Sequence, residues 1–321
     1  MKKVKSLYWV LSLVLLTRIS AQNLSIINLY DAFGKENEKL IQSFGFSCWI
    51  KYNDKNIVFD AGSNADIFKN NIHALGLDPK AIDMVIISHS HFDHLNGLDY
   101  ILSVNKKVKV YFPHDIFWGA PVPFDATGQE SSIGDSLPVE MRYFRGKETK
   151  FVINQSGRFW NANVDYVKVS TEILPGVKLI VNTSAYMGYF NKYPNLSFVP
   201  ELFKANASKS SESGLLELSL SLESNQGTIL IVGCSHSGVE NIIVNAKKEN
   251  TKNIGLVYGG FHLLPYKRDE LEKLIHYIQT DLQVKKVAPA HCTGHLGFKL
   301  FKDTYQDHFL FAGLGETVKI N

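Results

Sequence analysis

The chain has 321 residues, 45% of them hydrophobic and 20% charged, and a formal net charge of +3. That is enough apolar side chain for one large domain or two small ones, with no bias towards disorder. The basicity is confined to the N-terminus: Lys2, Lys3, Lys5 and Arg18 fall in the first 21 residues, which hold no acid, and the remainder is formally −1. No basic stripe or run is left, so nucleic acid and anionic lipid are not expected partners.

The opening stretch, "MKKVKSLYWVLSLVLLTRISA", has a basic start, an apolar run and a small residue before "QN". It reads as a secretory signal peptide over residues 1–21. Arg18 interrupts the run before it reaches the roughly 20 apolar residues an anchor requires. The mature chain is then expected to begin near Gln22, in the periplasm or secreted, with no stable membrane insertion.

In chain order, "SIINLY" (25–30), "GFSCWIKY" (45–52) and "NIVFDAG" (56–62) are predicted strands, with "DKN" as a hairpin turn before the last. "NADIFKNNIHALGLD" has helical spacing, ends at Gly76 and leads into the buried strand "MVIIS". "VKVYF" is a further strand. From about 113 to 213 the chain is rich in aromatics, Gly and Pro, and is read as a loop-rich insertion over the site that selects the substrate. Beyond it, "LLELSLSLES" and "GTILIVG" form a hairpin across "NQG", followed by the helix "VENIIVNAKKEN" and the strand "IGLVYGG". The helix "RDELEKLIHYIQTDL" and the strand "KKVAPAH" come last. No repeat or linker divides the chain, so residues 22–321 are expected to form one α/β (α+β) domain of two packed mixed sheets with helices outside.

Chemistry-bearing residues fall just past predicted strands. Ser88 and His89 follow "MVII", Cys234 and His236 follow "TILIVG", His262 follows "GLVYGGF" and His291 follows "KKVAPA". Such placement marks one shared edge carrying loops on a rigid frame. The stretch "SHSHFDHLNGL" (88–98) packs three histidines and an aspartate into six residues, in a chain with 11 histidines. His89 and His91 can turn towards one ion, and Asp93 and His94 towards a neighbour. Imidazole suits Zn, Fe or Mn. Four donors are too few for two ions that each need about three protein ligands and an open position.

The strongest further donors are His291 in "PAHCTG" and His236 in "GCSHSG", both flanked by small residues, and then His262 in "GGFHL". His73, His276 and His308 sit in helical patterns beside polar residues and read as solvated. His114 and His295 are intermediate. Cys48, Cys234 and Cys292 are too far apart in too large a chain to suggest a disulfide framework.

The "HxHxDH" run after an apolar strand, with the earlier "FDAG" at Asp60, resembles the metallo-β-lactamase superfamily. The set "GCSHSG", "YGGFHL" and "HCTG" resembles more narrowly the metal-dependent hydrolase branch that includes the dihydropterin ribofuranosyl-aminobenzene phosphate synthases. The resemblance covers about residues 25–321. It implies a four-layer αββα sandwich with a one- or two-metal site at its edge, zinc being the expected ion and Fe or Mn the alternatives. Carried over, it assigns His89 and His91 to the first metal, Asp93 and His94 to the second, and His291 as the last ligand histidine. Asp60 is assigned the task of orienting a ligand histidine.

Two departures stand out. Most members carry another histidine between the "HxHxDH" run and the next metal-binding strand, but here only His114 lies between His94 and Cys234, so His236 is the candidate for that place. Cys234 stands where many members have a bridging aspartate. It is either a thiolate ligand or, the favoured reading, a small buried residue that leaves His236 as the ligand.

Zinc lowers the pKa of its bound water from about 16 to about 7, which supplies metal-bound hydroxide at neutral pH. Asp93 would both ligate and hold that hydroxide towards a carbonyl or phosphorus. His262 and Tyr258 would stabilise developing negative charge, ligation by His262 and core packing by Tyr258 being the alternatives. The expected function is an exported metal-dependent hydrolase of a small-molecule ester, lactone or phosphoester. Alternatives are a pterin-type synthase or transferase on the same site, β-lactam hydrolysis, and a non-enzymatic metal-binding protein. Export, and the lack of a Gly-rich phosphate loop or Arg cluster, weigh against the pterin reading.

Overall fold

The computed structural model describes residues 23–114, 122–125, 130–147, 150–153, 159, 162–183 and 215–320. The signal-peptide reading of residues 1–21 lies outside them. The described strands are β1 (Leu24–Tyr30), β2 (Ser47–Tyr52), β3 (Lys55–Phe59), β4 (Met84–Ile86), β5 (Lys109–Pro113), β6 (Val122–Asp125), β7 (Lys150–Ile153), β8 (Asn163–Val167), β9 (Thr171–Leu174) and β10 (Val177–Thr183). They continue with β11 (Leu216–Ser224), β12 (Gly227–Val232), β13 (Ile254–Gly260), β14 (Lys286–Ala290) and β15 (Thr317–Ile320). The helices are α1 (Ala65–Ala74), α2 (Phe92–Leu95), α3 (Leu98–Val104), α4 (Val239–Glu249), α5 (Arg268–Thr280) and α6 (His295–Tyr305).

Two sheets carry the domain. One has seven strands in the order β15-β1-β2-β3-β4-β5-β8, and the other six in the order β14-β13-β12-β11-β10-β9. Both are mixed: β3, β4, β5 and β8 run parallel in the first, and β12, β13 and β14 run parallel in the second. Strand periodicity sorts the side chains. Leu218, Leu220 and Leu222 of β11 point between the sheets, where they meet Ile50, Ile57 and Phe59 of the first sheet. The alternate Ser219 and Ser221 are buried on the other face and satisfied by Asn182 and Asn250 at 3.1 and 3.0 Å. Burying each such leucine contributes about 1.5–3 kcal/mol, which is why the register is fixed: a one-residue slip would invert the faces.

Two further cores lie outside the sheets. Helices α1 and α3 pack Phe68, Ile72, Leu98 and Ile101 onto Val58, Val85 and Val110 of the first sheet. Helices α4, α5 and α6 pack Ile242, Leu271, Leu274, Ile275 and Phe301 onto Leu230, Val232 and Val257 of the second. The buried set on α5, Leu271, Leu274, Ile275 and Ile278, has the helical i, i+3, i+4, i+7 spacing. Helix α1 starts at Asn64, whose side chain accepts from the amides of Asp66 and Ile67. Helix, sheet, sheet, helix is the four-layer sandwich expected.

The stretch 113–213 requires a correction. Its composition predicts loops, yet β8 extends the first sheet beside β5, and β9 and β10 build one side of the second. None of these strands shows a clean apolar alternation: β8 has a single buried residue, β9 has none, and β10 buries Val177, Leu179, Ile180 and Asn182 on both faces. Part of the supposed insertion is therefore framework. Helices α3 and α6 and strand β15 were not among the predicted elements. Among the described residues no helix is long and apolar enough to cross a membrane.

Candidate metal centre

The parallel strands β3 and β4 of one sheet and β12, β13 and β14 of the other end at a common edge, where loops beyond strand C-termini gather ligand-binding groups. Each turn off that edge is tight. Asp60, Ser235, His262 and His291 have left-handed backbones, with φ of 59°, 63°, 52° and 48°. For residues with a Cβ this costs about 1–2 kcal/mol each, and such strain gathers where side chains must be aimed.

Three imidazoles form the first cluster. Nε2 of His89 lies 3.0 Å from Nδ1 of His91, which lies 3.0 Å from Nε2 of His236, and the triangle closes at 3.1 Å between His236 and His89. A ring nitrogen in its plane is either a donor or an acceptor. No placement of protons can satisfy all three edges of such a triangle, whereas one cation among three lone pairs does. The protonation bias agrees. Burial, reinforced by the neighbouring imidazoles, holds His89 and His236 well below the ordinary histidine range. Burial likewise brings His91 down to about 4, against the pull of Asp93. All three are neutral at pH 7 and can donate lone pairs.

The second cluster is Asp93, His94, Cys234 and His291. Nε2 of His291 lies 3.2 Å and Nε2 of His94 3.7 Å from Oδ2 of Asp93, and Nε2 of His94 is 3.1 Å from Sγ of Cys234. Here the bias is opposite. Burial opposes charging His94 and His291, but Asp60 and Asp93 outweigh it for His94, and Cys292, Asp93 and Asp31 raise His291 to about 9. Burial also works against the Asp93 carboxylate, yet His94 and His291 hold it below the usual carboxylate range. Carboxylates that draw the pKa of both imidazoles upward favour positive charge at this cluster. The N, N, O, S donor set suits zinc. The two clusters adjoin, with the rings of His89 and His94 4.3 Å apart.

One carboxylate sets the tautomers of both clusters. Asp60 accepts from the amide and hydroxyl of Ser88 at 2.7 and 2.8 Å and from Nδ1 of His94 at 2.7 Å. Because Ser88 Oγ donates to Asp60, it accepts from Nδ1 of His89, 2.8 Å away. Nε2 of His89 and of His94 are thereby left as lone-pair donors, each facing its cluster. Gly233 makes room for this relay, since a Cβ there would lie 2.1 Å from Ser88 Oγ.

Other supports had not been identified from the sequence. Glu217, fully buried on β11, accepts from three successive amides, Ser235, His236 and Ser237, at 2.7, 3.3 and 3.1 Å. Burial pushes its carboxyl up, and those three donors pull it back. Asp31 accepts from the His291 amide at 3.0 Å and from Asn28; burial raises it to about 7. Tyr143 donates its hydroxyl to the His291 carbonyl and accepts from the Gly294 amide at 3.0 Å. The detectable signal for Glu217 was a lone acid within the apolar alternation "LLELSLSLES". Asp31 and Tyr143 carried no such signal.

Every histidine named for the metals lies in one of the two clusters. Cys234 falls in the second cluster and His236 in the first, and the two also share a donor group with His262. His262 stands against His236 with ring centres 4.3 Å apart, and it forms a third donor group with Cys234 and His236. Tyr258 is buried between the sheets near Phe46, as a core residue. His295 is buried, and its Nε2 accepts from the Tyr143 amide at 3.1 Å; His73 pairs with Tyr100 at the surface. His114 follows β5, and its amide donates to the Val167 carbonyl at 3.0 Å, outside the clusters.

The superposition on known structures decides the fold family. A solved metal-dependent hydrolase of the beta-lactamase superfamily matches 93% of this chain and 99% of its own, with a TM-score of 0.64 at 21% identity. The fold is that of the metallo-β-lactamase superfamily. Residues 41–159, which include the His89–His94 run, match the family model of that superfamily. A 7,8-dihydropterin-6-methyl-4-(beta-D-ribofuranosyl)-aminobenzene-5'-phosphate synthase of Methanocaldococcus jannaschii is 27% identical over 306 residues, 92% of this chain and 97% of that protein. An uncharacterized protein of the same organism is 26% identical over 287 residues, 88% of this chain and 96% of its own. The narrower resemblance drawn from "GCSHSG", "YGGFHL" and "HCTG" thus has a full-length counterpart.

Proposed function

We propose that this protein is an exported metal-dependent hydrolase of a small-molecule ester, lactone or phosphoester. The observation that carries the reading is the pair of adjoining clusters, His89/His91/His236 and Asp93/His94/Cys234/His291, on the edge of a metallo-β-lactamase fold. Bound zinc, or Fe or Mn in its place, would lower the pKa of a water molecule towards neutrality and so provide hydroxide. The neutral nitrogens of His89, His91 and His236 would hold one ion, and Asp93, His94, Cys234 and His291 the other. Asp93, buried beside His94 and His291, would orient the attacking water and receive its hydrogen bond. His262, beside His236 on a strained turn, would donate to the oxygen on which negative charge develops. Asp60 would keep the ligand rings of both clusters in register through Ser88 and His94.

The test is metal analysis of the purified protein, with hydrolysis of aryl esters and bis(p-nitrophenyl) phosphate before and after chelation. Bound metal with chelator-sensitive turnover supports the reading; a protein that takes up no zinc rejects it. Export is tested separately, by intact mass: an N-terminus near Gln22 supports it and a full-length cytoplasmic chain rejects it.

A second reading rests on the full-length relative named as a synthase. The same residues would then assist transfer to a pterin-type acceptor. Product formation from a dihydropterin with a ribofuranosyl-aminobenzene phosphate, and no ester hydrolysis, would select it.

A further inference from the structure

Cys234 and Cys292 belong to different strand ends, after β12 and β14, with β13 between them. Their sulfurs nevertheless lie 3.3 Å apart, both in fully buried side chains. The approach depends on Gly260 at the end of β13, where a Cβ would stand 3.0 Å from Cys292 Sγ and 2.4 Å from the Gly233 carbonyl. Cys234 Sγ is at the same time 3.1 Å from Nε2 of His94 and part of the second donor cluster. One sulfur is therefore shared between a dithiol and a metal centre. A disulfide needs the sulfurs at about 2.05 Å, a closing of about 1.3 Å for two side chains at the ends of loops.

We propose that Cys234 and Cys292 are an oxidisable pair whose disulfide and a metal ion on Cys234 exclude each other. The inference rests on the metal-centre reading above. A thiolate used in an S–S bond has no charge left to place on a cation, so oxidation removes the sulfur from the second cluster and leaves Asp93, His94 and His291. A bound ion, in turn, withholds the Cys234 lone pair from an oxidant. Burial restricts the oxidant to a small one, and hydrogen peroxide fits. One thiolate attacks a peroxide oxygen, the O–O bond breaks, and sulfenic acid and hydroxide form. The second thiol then displaces the sulfenic oxygen as water. In sum, two thiols and one hydrogen peroxide give one disulfide and two waters, the sulfurs losing the two electrons that the peroxide gains. A thiol reductant reverses it by exchange. Cys48, buried on β2, is the internal control.

The experiment uses the purified protein in two forms, stripped with a chelator and reloaded with zinc. Both are exposed to equimolar hydrogen peroxide and followed by intact mass, thiol count and peptide mapping. The expected result for the stripped form is a loss of about 2 mass units, two thiols titrated away with Cys48 retained, a Cys234–Cys292 peptide and recovery in dithiothreitol. The zinc form should oxidise at least about tenfold more slowly, and the oxidised form should fail to develop the sulfur-to-cobalt charge-transfer band on addition of Co(II). Sulfinic acid at either residue without a cross-link overturns the proposal, as does equal oxidation of the two forms. Both outcomes leave the hydrolase reading intact, because that reading stands on metal content. A protein that takes up no zinc overturns both.

Discussion

The two clusters adjoin, with His89 of one against His94 of the other, but are built on different principles. The first is all nitrogen, kept neutral by burial, and its third member lies on a loop whose amides are held by the Glu217 carboxylate. The second mixes oxygen, nitrogen and sulfur, and its two histidines are biased towards the charged form, His94 by Asp60 and Asp93 and His291 by Cys292, Asp93 and Asp31. The first would take up a metal without giving up protons. The second would exchange protons, and is the one exposed to sulfur redox chemistry. The contrast shows how a single sheet edge presents two donor clusters in unlike environments.

The sharpest way to break this comparison is His236→Ala, which leaves the first cluster with two donors. Activity should fall by more than the roughly 10–100-fold typical of changes behind the ligands. Elemental analysis should show about one equivalent of metal lost and one kept. Loss of both ions would mean that the clusters are one unit.

Asp60→Asn addresses what the clusters share. Its carboxylate serves His89 through Ser88 and His94 directly, so metal affinity should drop roughly 10–100-fold at both positions, as read by competition with a chromophoric chelator. An effect confined to one cluster would refute the shared relay.

Acid should separate the two through Tyr143, which clasps the His291 loop. His295 accepts from the Tyr143 amide and must be neutral to do so. Burial first, then Arg142, lowers its pKa to about 4. A histidine with an ordinary pKa of about 6.5 when unfolded binds more protons in the unfolded state between those values, so stability falls as pH drops from about 6.5 towards 4, by roughly 2–3 kcal/mol. Thermal melts across that range should show the decline in wild type and lack it in His295→Phe.

Glu217→Gln should have the smallest effect. It keeps one acceptor oxygen but loses its charge on three amides, a destabilisation of about 1–2 kcal/mol. The change in metal affinity should be confined to the first cluster, and denaturant melts with metal titration would show it.

The sequence displayed the site unevenly. The run His89–His94 was legible because four donors in six residues have few other uses, and the strand before it is purely apolar. His236, His262 and His291 were found by a weaker rule, polar groups just past strand ends. That rule works because parallel strands finish at a common edge. Glu217, Asp31 and Tyr143 were missed because their role is to bind backbone amides and carbonyls of distant loops, and a partner that is not a side chain leaves no pattern. The strands β8 and β9 were missed because their exposed faces carry polar residues where alternation was sought, and β10 because Val177, Leu179, Ile180 and Asn182 are buried on both faces and do not alternate.

By itself, the sequence determined the donor chemistry, the strand and helix periods and hence the four-layer sandwich, because local pattern and residue type need no knowledge of neighbours. Which donor joins which cluster was decided only in three dimensions. Cys234 and His236 are two residues apart, yet the left-handed turn at Ser235 sends one to His94 and the other to His89 and His91. The meeting of Cys234 with Cys292, across a glycine on the strand between them, is likewise a fact of sheet order that no spacing along the chain encodes.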